Sequence, residues 1–479
     1  MPAQTAATKA RSPLSDSAAP PQTALGRAYP VEASKSPRVI ILLLILVIMV
    51  PIEFSLQIGP LFLPPARIFL IILTFMILPH VANLKLRAFD WMFIGHVAWV
   101  CVANVLIYGV GPSVQMSGSY VLEFLTVYLA ARIYLQTVED IRAVILLIVL
   151  LVLLSGTLAL PEALTGVRFI HDLGRSITGI VYKFDPEMRM GITRAASFFE
   201  HPILYGTFCA SSFSLMWFVT SPGQRIVLAP LIIFATWLSA SSAPLLTLMV
   251  QIVLLVVERL TRHIRRRDKL LGWIAGIFAM VMQVFTGRGV VGLVMLMTIN
   301  PGTAYTRRAR WNFAIDDVMR NPWFGFVPST YTRPFWLAPS IDNWWLLIMM
   351  RSGIPSLILL ALSALFLWIA IARRDGPPLF KNLRTGWGMM MIALVLGAAT
   401  VTFFGKLQPL FAFYMGMGAA LATCALPVEG ETRPEHPGKE AEPLPCPPSP
   451  QPDGACTTWM PYAVRQSFMA FWFIPRRWG

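Results

Sequence analysis

The sequence predicts an all-α, polytopic membrane protein: a bundle of about twelve transmembrane helices with two long loops on its outer side. Three observations carry that expectation. The 479 residues are 56% hydrophobic and only 13% charged, with a mean hydropathy of +0.64, whereas about a quarter of the residues in soluble chains are charged. Apolar runs of roughly 20 residues, the length a helix needs to cross the hydrocarbon core, recur along most of the chain. Lys and Arg concentrate in alternate connecting segments, which is how a multi-span chain sets its orientation.

Residues 1–36 are rich in Ala, Ser, Pro and Thr and cannot bury a core, so they read as a disordered cytoplasmic segment. No apolar stretch closely follows Lys9 and Arg11, which argues against a cleaved signal peptide. Residues 37–427 form the transmembrane domain. Its expected spans are 39–57, 62–83, 90–109, 117–135, 142–161, 202–219, 226–242, 244–258, 270–286, 344–371, 386–404 and 408–426. "SASSAP" (239–244) and "GKLQP" (405–409) are too short to be anything but hairpin tips. Residues 428–479 read as a Pro-rich cytoplasmic tail, whose aromatic and basic end "FMAFWFIPRRWG" suits a membrane surface. No internal repeat is visible.

The formal net charge is +15. In a soluble chain that would suggest nucleic acid; here topology accounts for most of it, and no nucleic-acid partner is expected. With the N-terminus in the cytoplasm, the inner loops hold Lys85, Arg87 and Arg225, then "ERLTRHIRRRDK" (258–269), then "ARRDG" with Lys381 and Arg384. Both termini are then cytoplasmic. Two outer loops break the pattern. Loop 162–201 carries Arg168, Arg175, Lys183, Arg189 and Arg194; loop 287–343 carries Arg288, Arg307, Arg308, Arg310, Arg320 and Arg333. Long loops cross the membrane largely regardless of charge, so topology permits these arginines without explaining them. A basic cluster needs an anion, either lipid headgroups or a phosphorylated substrate held by bidentate guanidinium groups. The five Cys (101, 209, 424, 446, 456) avoid both loops, so no disulfide framework is expected. The six His form no HxxxH or HExxH pair, and no metal or other cofactor is expected.

Four stretches carry candidate chemistry. In "RMGITRAASFFEHPILYG" (189–206), Arg194 lies near headgroup level and Pro202 suits a first helical turn. Glu200 and His201 read equally as helix-capping residues and as functional groups. "TAYTRRARWNFAIDDVMRNPWFGFVP" (303–328) has the period of a helix over about 304–320. Arg307, Arg310, Trp311 and Ala314 share one face, and Trp311, Ile315 and Val318 supply an apolar stripe. The competing reading is an amphipathic helix lying on the membrane with snorkelling arginines. In "SIDNWWLLIMMRSGIPSL" (340–357), Asp342 and Asn343 either cap a span or, for Asp342, act as a general base. The Gly353-Ile354-Pro355 break implies a kink or a short re-entrant segment. The small residues of "SASSAPLLTL" (239–248) favour close helix packing over ligand contact. Within the spans, Glu53, Glu123, Arg132 and Lys406 are ionisable. Glu53 and Lys406 lie near outer ends and could border one cavity; Arg132 lies near an inner end, where topology accounts for it.

In this order, "RAASFFEHPILYG", "SASSAPLL", "RRARW…NPWFG" and "DNWWL…GIP" resemble the O-antigen ligase and polysaccharide polymerase superfamily, most closely its exopolysaccharide-polymerase-type members, over roughly residues 39–426. The resemblance implies a multi-pass enzyme of a bacterial inner membrane that takes a glycan from an undecaprenyl pyrophosphate carrier at the periplasmic face. It passes the glycan to another lipid-linked glycan or, in a ligase, to lipid A core. It also implies that Arg194 and Arg307 hold the pyrophosphate. Read from the residues themselves, Asp342 is the third catalytic candidate, as the base for the acceptor hydroxyl, and Glu200, His201, Arg310, Trp311 and Asn343 are the candidate substrate-binding residues. The implied partners are a lipid-linked oligosaccharide, membrane lipids and other polysaccharide assembly and export proteins. The chain departs from the ligase pattern in having Asp342 where ligases carry a histidine, which favours polymerisation. An O-antigen ligase and a transporter or flippase of the same glycan are the alternatives. A transporter would favour internal repeats and broken helices at the midplane. A non-catalytic assembly subunit would leave the arginine loops without a use.

Overall fold

The computed structural model of the chain describes residues 36–58, 61–181, 187–264 and 301–426. The expected disordered N-terminal segment, the expected span 270–286, the expected tail, and Lys183 and Arg288 lie outside the described residues. What is described is almost wholly helical, with two small hairpins. The helices are α1 (Ser36–Met49), α2 (Pro65–Val81), α3 (Ala88–Tyr108), α4 (Val110–Tyr120), α5 (Val127–Tyr134), α6 (Val138–Thr165), α7 (Phe169–Thr178), α8 (Pro202–Val219), α9 (Pro222–Trp237), α10 (Ser242–Thr261), α11 (Pro301–Arg320), α12 (Trp344–Ala372), α13 (Pro378–Gly397) and α14 (Leu407–Leu421). The hairpins pair β1 (Leu56–Ile58) with β2 (Leu61–Leu63), and β3 (Met188–Arg189) with β4 (Ile192–Thr193), both antiparallel.

Every expected span that the described residues cover contains a helix. Five of these, α3, α6, α8, α10 and α12, are long and apolar enough to cross a membrane. They mark the chain as a helical membrane protein. The outer helices expose large apolar side chains, among them Phe75, Leu78, Leu150, Ile226 and Leu260, on a scale that water would not tolerate. α8 and α14 are apolar all round and sit in the middle; every residue of α14 except Gln408 is buried. α8 packs against α6, α9, α10 and α13, α14 packs against α5, and α12 lies along α3.

Several elements depart from their expected bounds for local reasons. α1 stops at Met49, ahead of Pro51, so Glu53 lies in a 3-10 turn (Ile52–Phe54) beyond the helix. The expected span 117–135 is one helical rod made of α4, a π-helical turn (Val121–Thr126) and α5. Glu123 sits in that π turn and pairs with Arg67 on α2 at 2.7 Å. α13 begins at Pro378, eight residues before the expected 386, and ends at Gly397; Ala398 to Lys406 run as an irregular link into α14. Arg132 has more than a topological part. It lies 3.5 Å from Asp90, which is fully buried and also accepts from the Tyr128 hydroxyl (2.6 Å) and the Arg87 N–H (2.8 Å).

The Gly353-Ile354-Pro355 break is real, and it is plugged. Gly353 has φ 76° and ψ 173° inside α12, a conformation that suits glycine. Breaking the helix frees the Met350 carbonyl and the Ile354 N–H, and a bare backbone group among apolar helices is costly. The "NPWFG" turn after α11 takes both: Phe326 N–H donates to Met350 O (2.6 Å), and Ile354 N–H donates to Pro322 O (2.7 Å). The Trp99 indole on α3 donates to Trp323 O and Ser352 O at 3.1 and 3.0 Å. α11 is thereby tied to the N-terminal half of α12. A Cβ on Gly353 would overlap the Trp323 carbonyl, whereas one on Gly118 would meet nothing within 4 Å. Gly353→Ala should therefore cost about 1–3 kcal/mol, read as a lower melting temperature in detergent. Gly118→Ala should leave the melting temperature unchanged or slightly raised. Equal melting temperatures for the two variants would show that the plug tolerates a side chain.

Candidate active site

The loop from Arg194 to His201 is held from below. The β3–β4 hairpin turns through Met190 and Gly191, both with positive φ, as a two-residue hairpin turn requires. It leaves Arg194 in a buried position beside the 239–241 tip. Ala195 N–H donates to Leu238 O (3.1 Å). The Glu162 carboxylate at the end of α6 accepts from the N–H groups of Ala196 (3.1 Å) and Ser197 (2.8 Å) and pairs with Arg168 at 3.1 Å. His171 on α7 bonds Ser197 O through Nε2 (2.8 Å) and Glu53 through Nδ1 (2.7 Å). Sequence reasoning missed Glu162, His171 and Glu187; an acidic residue at the end of a span and a histidine just beyond it were the available signals.

Arg194 is only 3% exposed. Its Nη1 donates to Glu187 (2.5 Å), its Nη2 to the Ser241 hydroxyl (2.5 Å), and its Nε to Ser239 O (3.4 Å). The small-residue tip thus does two things. It packs closely, since a Cβ on Gly206 of α8 would strike Ser239 and Pro244, and it orients the arginine. Glu187 is itself exposed and also reaches Arg189 at 3.1 Å. Burial alone would raise its carboxyl, but the hydrogen bond from Arg194 and the charges of Arg194 and Arg189 hold it below the usual range. An exposed carboxylate therefore sits where an arriving anion would meet these two guanidinium groups.

His201 and Glu200 part company. His201 is the N-cap of α8: its Nδ1 accepts from the Ile203 N–H at 3.1 Å. Glu200 does not cap. Its Oε1 accepts from Lys406 Nζ at 2.6 Å, and its Oε2 has no hydrogen-bond partner. Gly405 lies against that free oxygen, so that a Cβ there would come within 2.9 Å of it. Glu53 feels the charge of Lys406, which sets these two groups on the same side of the bundle.

The second half of the site is a pocket lined by Arg307, Arg310 and Trp311 of α11, by Ile341, Asp342, Asn343 and Leu346 at the head of α12, and by Ala399 of the link. Ala314 and Val318 of α11 are buried against Tyr331, Leu346 and Met350, and this apolar seam turns Arg307 and Arg310 towards the head of α12, while Arg308 and Arg320 are exposed. Asn343, not Asp342, caps α12: its Oδ1 accepts from Leu346 N–H (3.0 Å) and its Nδ2 donates to Ala399 O (2.9 Å). Its amide is thus committed to backbone. Asp342, half-exposed, accepts from Arg310 Nη1 instead. Arg307 is 9% exposed, and its Nε and Nη1 have no hydrogen-bond partner. Burial pulls its guanidinium below the usual value; Asp342 opposes that shift, while Arg310 and Arg189 add to it. Arg189 acts in the same direction on Arg194, so one hairpin arginine lies within electrostatic reach of both. Among the described residues no group of three His, Cys, Asp or Glu could hold a metal ion.

No protein-family model matches the chain, and no curated protein matches it.

Burial, followed by the nearby Arg194 charge, lowers His201 from 6.5 to about 4. The unfolded chain then binds more protons than the folded one between those values. Stability is full above about pH 6.5 and declines as the pH falls towards 4. His201→Asn keeps a good cap and removes the titration. Its melting temperature should fall less than that of the wild type between pH 6.5 and 4 and match it above 6.5. Parallel pH profiles would mean that His201 does not titrate as its surroundings dictate.

Proposed function

We propose that this chain is a membrane glycosyltransferase of the O-antigen ligase and polysaccharide polymerase type, acting at the periplasmic face of a bacterial inner membrane. Its substrate is a glycan carried on undecaprenyl pyrophosphate, and its product is an extended exopolysaccharide. The observation that carries this reading is Arg307: a buried guanidinium with Nε and Nη1 unpartnered, in a pocket beside a second arginine and a carboxylate. A buried cation without enough partners is strongly disfavoured. An arginine kept that way suits an anion that arrives from outside, and a diphosphate matches its fork.

In the reaction, an acceptor hydroxyl oxygen attacks the anomeric carbon of the donor glycan and forms the new glycosidic bond. The bond from that carbon to the diphosphate oxygen breaks, and its electron pair leaves with the diphosphate. Arg307 and Arg194 meet the charge that grows there, with Glu187 giving up its place beside Arg194 and Arg189. Fixed guanidinium groups stabilise that developing charge more than the ground state. Asp342, on the rim of the same pocket, accepts the hydroxyl proton, and Trp311 and Asn343 shape the wall beside it. Glu200, with one free carboxylate oxygen, and His201 edge the approach from α8. The twelve-span topology with both termini in the cytoplasm belongs to this reading. It puts loops 162–201 and 287–343 on the same outer side. The aspartate in place of the ligase histidine favours polymerisation over transfer to lipid A core.

Two measurements test it. Cysteines introduced at the exposed positions Thr330 and Ile264 should differ in sealed cells: Thr330→Cys should react with an impermeant maleimide from outside, and Ile264→Cys should not. The reverse result removes the proposal, because the chemistry needs the outer face. In a strain relying on this chain for polymer, Arg307→Ala should lower output by about a hundredfold or more, near 3 kcal/mol of transition-state stabilisation. Arg307→Lys should restore only part of that output, lacking the planar fork. Asp342→Asn should express normally and accumulate unextended lipid-linked glycan. Normal polymer from Asp342→Asn would move the base to Glu200.

A further inference from the structure

A second cavity opens on another face of α12. Its wall includes Asn104 of α3, Met116 and Tyr120 of α4, Leu347 and Arg351 of α12, and Gln408 of α14. Leu347 and Arg351 stand four apart and so share one stripe of the helix, rotated away from the stripe of Asp342 and Leu346 that faces the Arg307 pocket. Arg351 is exposed. It lies seven residues into a helix long enough to cross a membrane, about 10 Å along the axis from Trp344. The titratable groups that face it are the Tyr108 and Tyr120 hydroxyls; no carboxylate among the described residues does so. The Tyr120 hydroxyl is fixed by His96 Nε2 (2.7 Å), and His96 is fixed in turn by Ser356 O (2.8 Å). An ionisable side chain at membrane depth is expensive and marks a pathway or a binding site by default. This one combines a cation, neutral hydrogen-bonding groups at its side and apolar walls that include Val100, Met116, Leu347 and Ile348. That is the chemistry of a phosphate with a hydrocarbon chain attached.

We infer that this cavity binds the phosphate of a second polyprenyl-linked molecule, the acceptor, with Arg351 as its cation and its chain along α4. The inference rests on the donor assignment of the Arg307 pocket. A transferase that joins two lipid-linked units must hold two lipid phosphates at once, and the two cavities open on neighbouring stripes of α12.

Native mass spectrometry of the purified full-length protein in detergent tests this, with undecaprenyl pyrophosphate as the probe and phosphatidylglycerol as the competitor. The wild type should carry two copies of the probe, Arg351→Gln one, Arg307→Gln one, and the double variant none. Among the described residues Arg351 faces no carboxylate, so Arg351→Gln should fold; Arg351→Lys, which keeps the charge, is the second variant and should retain two copies. If Arg351→Gln keeps as many copies as the wild type while Arg307→Gln loses one, the acceptor site is overturned and the donor site stands. If only Arg351→Gln loses a copy, the Arg351 site stands and the donor reading fails. If phosphatidylglycerol displaces the Arg351-dependent copy as readily as unlabelled probe does, the cavity is a general lipid site and the acceptor assignment is overturned.

Discussion

A charge placed among apolar helices is costly unless another polar group meets it, and the arrangement around the candidate site follows from that constraint. Lys406 is held by Glu200, Glu162 by Arg168 and by two backbone N–H groups, and Glu53 by His171. Arg194 takes the Ser239 carbonyl, the Ser241 hydroxyl and Glu187. Lys406 with Glu200, Glu53 with His171, Arg194 with Ser241 and Glu162 with the Ser197 N–H each join elements far apart in sequence, so satisfying the charges also draws α6, α7, α8, the 239–241 tip and the α13–α14 link to one end of the bundle. Against that background Arg307 stands out, because two of its nitrogens are left without a partner. The pairing of the charges around it gives this arginine a reason to be read as a binding group.

The same reasoning applies to the backbone. A helix interrupted at Gly353 exposes a carbonyl and an N–H that lipid cannot satisfy. The turn after α11 supplies both partners, and the Trp99 indole closes the junction. This has a consequence for the site, because the plug sets α11 against the head of α12. Arg307, Arg310 and Trp311 are then carried to Asp342 and Asn343. Breaking α12 and presenting the arginines are one structural event. The rigidity that a charged site needs comes from backbone hydrogen bonds in the turn rather than from the arginines themselves.

The two cavities use neighbouring stripes of one helix for different purposes. Around Arg307 the wall is mixed, with cations, a carboxylate and a tryptophan, and it is fed by the long loops. Around Arg351 there is one cation, and the rest of the wall is neutral or apolar. A diphosphate with a glycan attached matches the first environment; a lipid phosphate whose chain remains in the bilayer matches the second. The apolar seam of Ala314 and Val318 and the capping amide of Asn343 keep α11 and α12 in register between them.

The sequence by itself determined the class of fold. Runs of apolar residues long enough to cross a membrane force a helical membrane protein, because no other local structure satisfies the backbone in lipid. It also determined the helix carrying Arg307, from its 3.6-residue period, and the break at Gly353-Ile354-Pro355, from the one residue that tolerates positive φ and the one without an N–H. Arg194, Arg307, Arg310 and Asp342 were legible as candidates because charge on an otherwise apolar chain is conspicuous, and Trp311 and Asn343 because they share a helix face or a span start with them. Their roles were not legible. Whether Asp342 or Asn343 caps α12, whether Glu200 or His201 caps α8, and whether the arginines of α11 face lipid or protein depend on partners tens to hundreds of residues away: Ala399, Lys406, Arg310 and the Tyr331–Met350 seam. Arg351 shows the same limit. Its residue type stands in plain view within "IMMRSGIP", but that it opens into a cavity beside Tyr120, Asn104 and Gln408 follows only from how α3, α4 and α14 pack around α12. Periodicity reports what one segment prefers; which neighbour answers its charges is a property of packing, and only the tertiary structure decides it.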